Sequence, residues 1–133
     1  MAEVPRLGAL EREVMDVLWD CPDDLCTRQV LGRLAEELAY TTVATVLTNL
    51  ARKEMVERFR ADGRWGYRPL HSREAYAAGL MAQALAEAGD RGRALELFRD
   101  LLGEGDRAVL CTAEEGRAGP DVDATARWAM MDR

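Results

Sequence analysis

The chain has 133 residues, 48% of them hydrophobic and 32% charged, with a formal net charge of −6; that suffices for one compact domain, or a small domain with a helical appendage, and is too short for most multidomain enzymes. No apolar run of about 18 residues occurs and the opening MAEVPRLGALEREV lacks the charged-then-apolar order of a signal peptide, so a soluble cytoplasmic protein without membrane attachment is expected. Three cysteines (Cys21, Cys26, Cys111) and one histidine (His71), without paired spacing, point to free thiols in a reducing compartment and to no metal or cofactor.

Leu7, Leu10, Val14, Val17 and Leu18 recur at helical spacing with Glu11, Arg12 and Asp16 between them, which predicts an amphipathic helix from about residue 8 to 19, stopped by DCPDD. Thr27 reads as the N-cap of a second helix with Val30, Leu31, Leu34 and Leu38 facing inward. A third helix runs from Thr41 or Thr42 to about Lys53. The period then changes: MVERFRA (55–61) and YRPL (67–70) read as extended runs on either side of the turn sequence DGRWG, a β-hairpin. Ser72 can cap a fourth helix ending near Gly89, and DRGRALELFRDLLG forms a fifth ending at Gly103.

From Glu104 onward the periodic signal fades into acidic, Gly- and Pro-containing sequence such as EGRAGPDVD, so loose structure is expected there. The order of elements is that of a mainly α fold with a small β-hairpin. It divides into a winged helix-turn-helix over residues 1–71, a helical extension over 72–103 and a poorly specified tail over 104–133.

The third helix carries the functional signal. At 100° per residue, Val43, Val46, Leu47 and Leu50 form one apolar stripe, while Thr41, Thr45, Thr48 and Arg52 gather on the opposite side with Thr42 and Asn49 at its flank. Threonine ranks low in helix propensity, so an ordinary solvated face would use Glu, Lys and Gln instead. Short hydroxyl side chains allow close approach to a DNA major groove, where Thr touches phosphates or thymine methyls, Asn pairs with adenine and Arg with guanine. Arg64 and Trp65 beside the hairpin turn would form a second contact, and Lys53 and Arg28 would touch phosphates. Residues 41–71 hold six basic and three acidic side chains, a local +3 within a chain of −6. The rival reading is a winged-helix scaffold for protein-protein contacts. No nucleophile-base pairing or glycine-rich phosphate loop supports an enzyme, and no convincing ligand pocket can be read from the sequence.

Four stretches carry a family likeness: LGALEREVMDVLW in the first helix, AYTTVATVLTNLARK in the third, RWGYRP in the hairpin and SREAYAAGLM opening the fourth. Through them the chain resembles the penicillinase repressor (BlaI/MecI) family of bacterial winged-helix repressors, over roughly residues 7–102. The resemblance implies a transcriptional repressor bound as a homodimer to a palindromic operator on double-stranded DNA. The later helices, with Tyr76, Leu80, Leu85, Leu95, Phe98, Leu101 and Leu102, would form the dimer interface. It also implies an inducing factor, in some members a membrane sensor protease that triggers cleavage between Asn and Phe. Asn49 is the single asparagine and precedes Leu50, so the chain has no Asn-Phe bond. Glu54 stands where members commonly carry the glycine that closes the third helix, Asn49 where Arg is frequent, and Cys111 alone does not reproduce the cysteine pairs of copper-responsive relatives.

Overall fold

The computed structural model describes residues 4–21 and 24–114. Along the chain run α1 (Ala9–Asp20), β1 (Leu25–Cys26), α2 (Thr27–Arg33), α3 (Tyr40–Arg52), β2 (Val56–Ala61), β3 (Arg64–Pro69), α4 (Arg73–Ala86), α5 (Arg91–Leu101) and α6 (Glu104–Glu114). The three strands form one antiparallel sheet in the order β1-β3-β2. This is the winged-helix arrangement, followed by a helical extension.

The stripe predicted for α3 is the centre of the core. Val43, Leu47 and Leu50 are wholly buried together with Val14, Met15 and Leu18 of α1, Val30 of α2, Leu25 of β1, and Met55 before β2. Val4 ahead of α1 and Tyr76 of α4 close the same cluster. Three contacts lock α4 to α1 and the N-terminal segment. The Trp19 indole N–H donates to the His71 carbonyl at 2.9 Å, the Tyr76 hydroxyl donates to the Pro5 carbonyl at 2.9 Å, and Arg73 reaches Asp20 at 2.9 Å and Asp16 at 3.2 Å.

The structure departs from the sequence expectations in five places. Strand β1, only two residues long, was not foreseen, because a dipeptide has no readable period; it exists because Leu25 and Cys26 pair with Tyr67 and Gly66 of the hairpin. Thr27 is the first residue of α2 rather than its cap, and is buried; the Gln29 carboxamide oxygen instead accepts from the Cys26 backbone N–H at 2.9 Å. The second helix stops at Arg33, so Leu34 and Leu38 reach the core from the following loop. The hairpin turn is Asp62-Gly63 alone, since Ala61 pairs with Arg64, and Arg64 and Trp65 are therefore strand residues. Finally, residues 104–114 form helix α6, whose start is fixed by the Arg107 guanidinium donating through Nε and Nη2 to the Leu102 carbonyl at the end of α5. Residues 115–133 of the expected tail lie outside the described residues.

Left-handed backbone values at the hairpin turn and at the end of α3 have physical reasons. Asp62 (φ 52°) and Gly63 (φ 76°) give the turn the twist that a two-residue hairpin needs. Glu54 (φ 60°) ends α3: the Met55 N–H bonds the Leu50 carbonyl at 2.9 Å and the Glu54 N–H bonds the Ala51 carbonyl at 3.1 Å, a Schellman closure in which Met55 packs beside Leu50. A side chain in that conformation costs roughly 1–2 kcal/mol. Glu54→Gly is expected to raise stability by about 1 kcal/mol, the relieved strain being partly offset by the freer unfolded chain. Urea denaturation at neutral pH measures this, and an unchanged midpoint would contradict it.

Candidate nucleic-acid interface

Helix α3 presents the face that its periodicity predicts. Thr41, Thr42, Thr45, Thr48 and Arg52 are exposed and Asn49 is half-buried at the flank, opposite the buried valines and leucines. Because β2 and β3 follow directly from the end of α3, the hairpin stands beside this face. Between them lies an open groove of about 680 Å³ lined by Arg28, Tyr40, Ala44, Thr48, Arg64 and Trp65, with Cys26, Thr27, Gly63 and Tyr67 completing it. Among the described residues no carboxylate lines the groove.

Side-chain chemistry refines the sequence reading. The Thr45 hydroxyl donates to the Thr41 carbonyl at 2.8 Å and the Thr48 hydroxyl to the Ala44 carbonyl at 2.9 Å. Their protons are thereby spent on the helix, and each offers outward an acceptor oxygen and a methyl. In that geometry these two threonines offer a base edge a methyl and an acceptor, the second of the two kinds of contact expected of them, rather than a donor for a phosphate oxygen. Arg52 Nη2 donates to Asn49 Oδ1 at 2.9 Å, so the amide and the guanidinium form a linked pair rather than two independent groups. The N-cap of α3 is Ala39, whose side chain caps nothing, and the first turn carries no acidic residue. The leading N–H groups at Tyr40 and Thr41 are therefore open to an anion.

Not every predicted cation joins this surface. Lys53 Nζ sits 2.8 Å from Glu11 Oε1 and 3.4 Å from the Arg6 carbonyl, which ties it to the N-terminal end of α1. Burial penalises the Glu11 carboxylate, but the hydrogen bonds from Lys53 and the Gly8 N–H and the nearby positive charges outweigh that penalty and hold its pKa below the ordinary range. The stabilisation from Glu11 is consequently present at neutral pH and is lost as pH falls below the usual carboxylate value. Arg28 is exposed and lies 5.9 Å from the Tyr40 ring at the start of α3.

Two arginines counted in the sequence only as charge turn out to share the wing with Trp65. Arg58 and Arg60 lie on the same sheet face as Trp65, 3.9 and 5.2 Å from its ring centroid. Their alternation was legible, but the partner ring depends on a cross-strand register that follows from the two-residue turn.

The expected dimer residues divide. Tyr76 is 3% exposed and belongs to the protomer's own core, which corrects its assignment to an interface, while Leu80 is half-buried and packs partly against that core. Leu95, Phe98 and Leu101 are exposed, Leu85 and Leu102 half-exposed. Met81, Leu85, Leu95 and Phe98, with Ala82, Ala84, Ala88 and Ala94, line an almost wholly apolar groove of about 400 Å³ between α4 and α5. Cys21, Cys26 and Cys111 are free thiols. Among the described residues no group of three or more His, Cys, Asp or Glu side chains could hold a metal ion, and no helix is long and apolar enough to cross a membrane.

Comparison with known proteins accords with this architecture. Residues 7–105 match the family model of the penicillinase repressor. The chain is 49% identical over 94 residues to the transcriptional regulator BlaI of two Mycobacterium tuberculosis strains, covering 69% of this chain and 68% of theirs. Among solved structures, the Bacillus licheniformis BlaI monomer in complex with the blaP half-operator aligns at 25% identity over 52% of this chain and 85% of that one, with a TM-score of 0.44. The PcaV transcriptional regulator of Streptomyces coelicolor aligns at 21% identity over 82% and 72%, also with a TM-score of 0.44. The family match over most of the chain, and the near-half identity to a regulator across more than two-thirds of it, show that this chain belongs to the penicillinase repressor family, a family of transcriptional regulators rather than enzymes.

Proposed function

We propose that the protein is a sequence-specific repressor that binds a palindromic operator in double-stranded DNA as a homodimer. The observation that carries the reading is the face of α3: hydroxyl, amide and guanidinium groups exposed on one side of a helix whose other side is buried, beside a groove lined by no carboxylate among the described residues. Thr41, Thr42, Thr45, Thr48, Asn49 and Arg52 face the major groove, with Thr45 and Thr48 offering methyls to thymine or acceptor oxygens to base amino groups. The uncapped first turn of α3, with Arg28 beside it, receives one backbone phosphate, and Arg64 and Trp65 lie along the neighbouring strand. Lys53 acts through its ion pair with Glu11, holding the end of α3 against α1, rather than on phosphate.

The dimer is formed by the apolar faces of α4 and α5, through Leu85, Leu95, Phe98, Leu101 and Leu102. Nine large apolar side chains are exposed among the described residues, and five of them, Met81, Leu95, Leu97, Phe98 and Leu101, lie on these two helices. Met81, Leu95 and Phe98 share the apolar groove between the two helices, and an apolar surface of that kind is rarely left to solvent.

Footprinting the purified protein on the DNA upstream of its own gene tests the reading: a dimer protects two half-sites about one helical turn, or a multiple of it, apart. Protection of a single short site would refute the dimer, and no protection at any salt would refute the operator. Arg52→Ala is expected to weaken operator binding by about 1–3 kcal/mol and to relax preference at one base pair. Equal loss on operator and random duplex would show instead that Arg52 holds a phosphate.

A further inference from the structure

The wing contains a cationic device that the recognition helix does not explain. Arg58 and Arg60 project from β2 on the side where Val56 and Tyr67 are buried, and beyond that core their guanidiniums meet the Trp65 ring at 3.9 and 5.2 Å. Trp65, 40% exposed, also lines the groove against Thr48 and Tyr40 of α3. The opposite face of the hairpin is built differently. There Phe59 covers Gly66, where a Cβ would come within 2.6 Å of the ring, and Arg68 lies 4.2 Å from Phe59 but is held by Glu57 at 3.2 Å and Asp24 at 3.8 Å. No ion pair among the described residues takes up Arg58, Arg60 or Arg64. Glu57 is thus spent on the face that also carries Arg64, and two of the three unneutralised cations, Arg58 and Arg60, share the other face with one indole.

An arginine laid on an indole keeps its in-plane N–H donors free while losing the rotamer freedom of a long side chain. Two such arginines on one ring form a preordered pair of donors, which is what adjacent phosphate oxygens require. We propose that Arg58 and Arg60 bind the phosphate backbone of the duplex at the wing, and that Trp65 is a positioning residue that stacks them for it rather than a DNA contact in its own right. This rests on the DNA-binding reading above and replaces the direct contact first assigned to Trp65.

The test is a set of titrations of the upstream duplex and a random duplex of equal length across a salt series, with thermal melting to confirm that each variant is folded. Arg58→Gln and Arg60→Gln should each weaken binding to both duplexes by the same factor and lower the slope of log affinity against log salt by about one. Trp65→Leu should weaken both by roughly tenfold in the native background and by nothing measurable in the Arg58→Gln/Arg60→Gln background, as a thermodynamic cycle requires of residues acting as a unit. Trp65→Phe, which keeps a ring, should recover most of the loss. If Trp65→Leu costs the same in both backgrounds, Trp65 acts independently of the arginines and the proposal fails. If the two glutamine variants bind both duplexes as tightly as the native protein, the wing arginines are not contacts and the proposal fails while DNA binding stands. Absence of binding by the native protein to either duplex would overturn the underlying reading itself.

Discussion

Leu47→Ala is expected to destabilise the fold by about 2–5 kcal/mol, because Leu47 is wholly buried at the middle of α3 and its truncation leaves a cavity among α1, α3 and the sheet that close packing cannot refill. The same change should weaken DNA binding more than its distance from the surface suggests. Thr48 follows Leu47 directly, and its hydroxyl is fixed to Ala44 on the helix that Leu47 seats. Denaturant titration gives the stability, and binding measured well below the shifted midpoint gives the second effect. A loss under about 1 kcal/mol would mean that the α3 seat is looser than its burial indicates.

The second large effect concerns assembly. Replacing both Phe98 and Leu101 by Asp places two charges on the apolar face of α5, where Phe98 is 40% and Leu101 83% exposed in the single chain. Neither substitution removes a residue from the protomer's own core, so the monomer should stay folded while a dimer would have to bury both carboxylates. The variant is expected to sediment as a monomer and to bind a full operator about a hundredfold more weakly, since the two half-sites are no longer linked. Its affinity for an isolated half-site should be unchanged. A variant that remains dimeric would place the interface elsewhere, for instance on α6, whose Val109 and Leu110 are also exposed.

The closure of α3 joins stability to the site. Glu54 sits in the left-handed region and Met55 turns back to bond Leu50, which sends the chain into β2 beside the helix it has just left. The wing therefore stands where its cations border the groove, and the strain at Glu54 can be relieved without touching any exposed residue of α3.

The amino-acid sequence alone determined the local elements and the identity of the exposed face. The 3.6-residue period separates Val43, Val46, Leu47 and Leu50 from Thr41, Thr45, Thr48 and Arg52, and Asp62-Gly63 marks the hairpin, because helical periodicity and turn chemistry are properties of neighbouring residues. The family likeness was legible for the same reason, in short runs of adjacent residues. Tertiary structure decided what depends on partners distant in the chain. Tyr76 fell inside the protomer because the N-terminal segment and α1 pack on α4, Lys53 was taken by Glu11 forty-two residues earlier, and Leu25 and Cys26 became a strand only against β3. The gathering of Arg58 and Arg60 on Trp65 belongs to the same class, since a cross-strand contact exists only once the register is set. Composition predicted looseness from Glu104, yet residues 104–114 coil into a helix whose first turn is joined by Arg107 to the last carbonyl of α5, an end-to-end contact that no windowed reading of polarity registers.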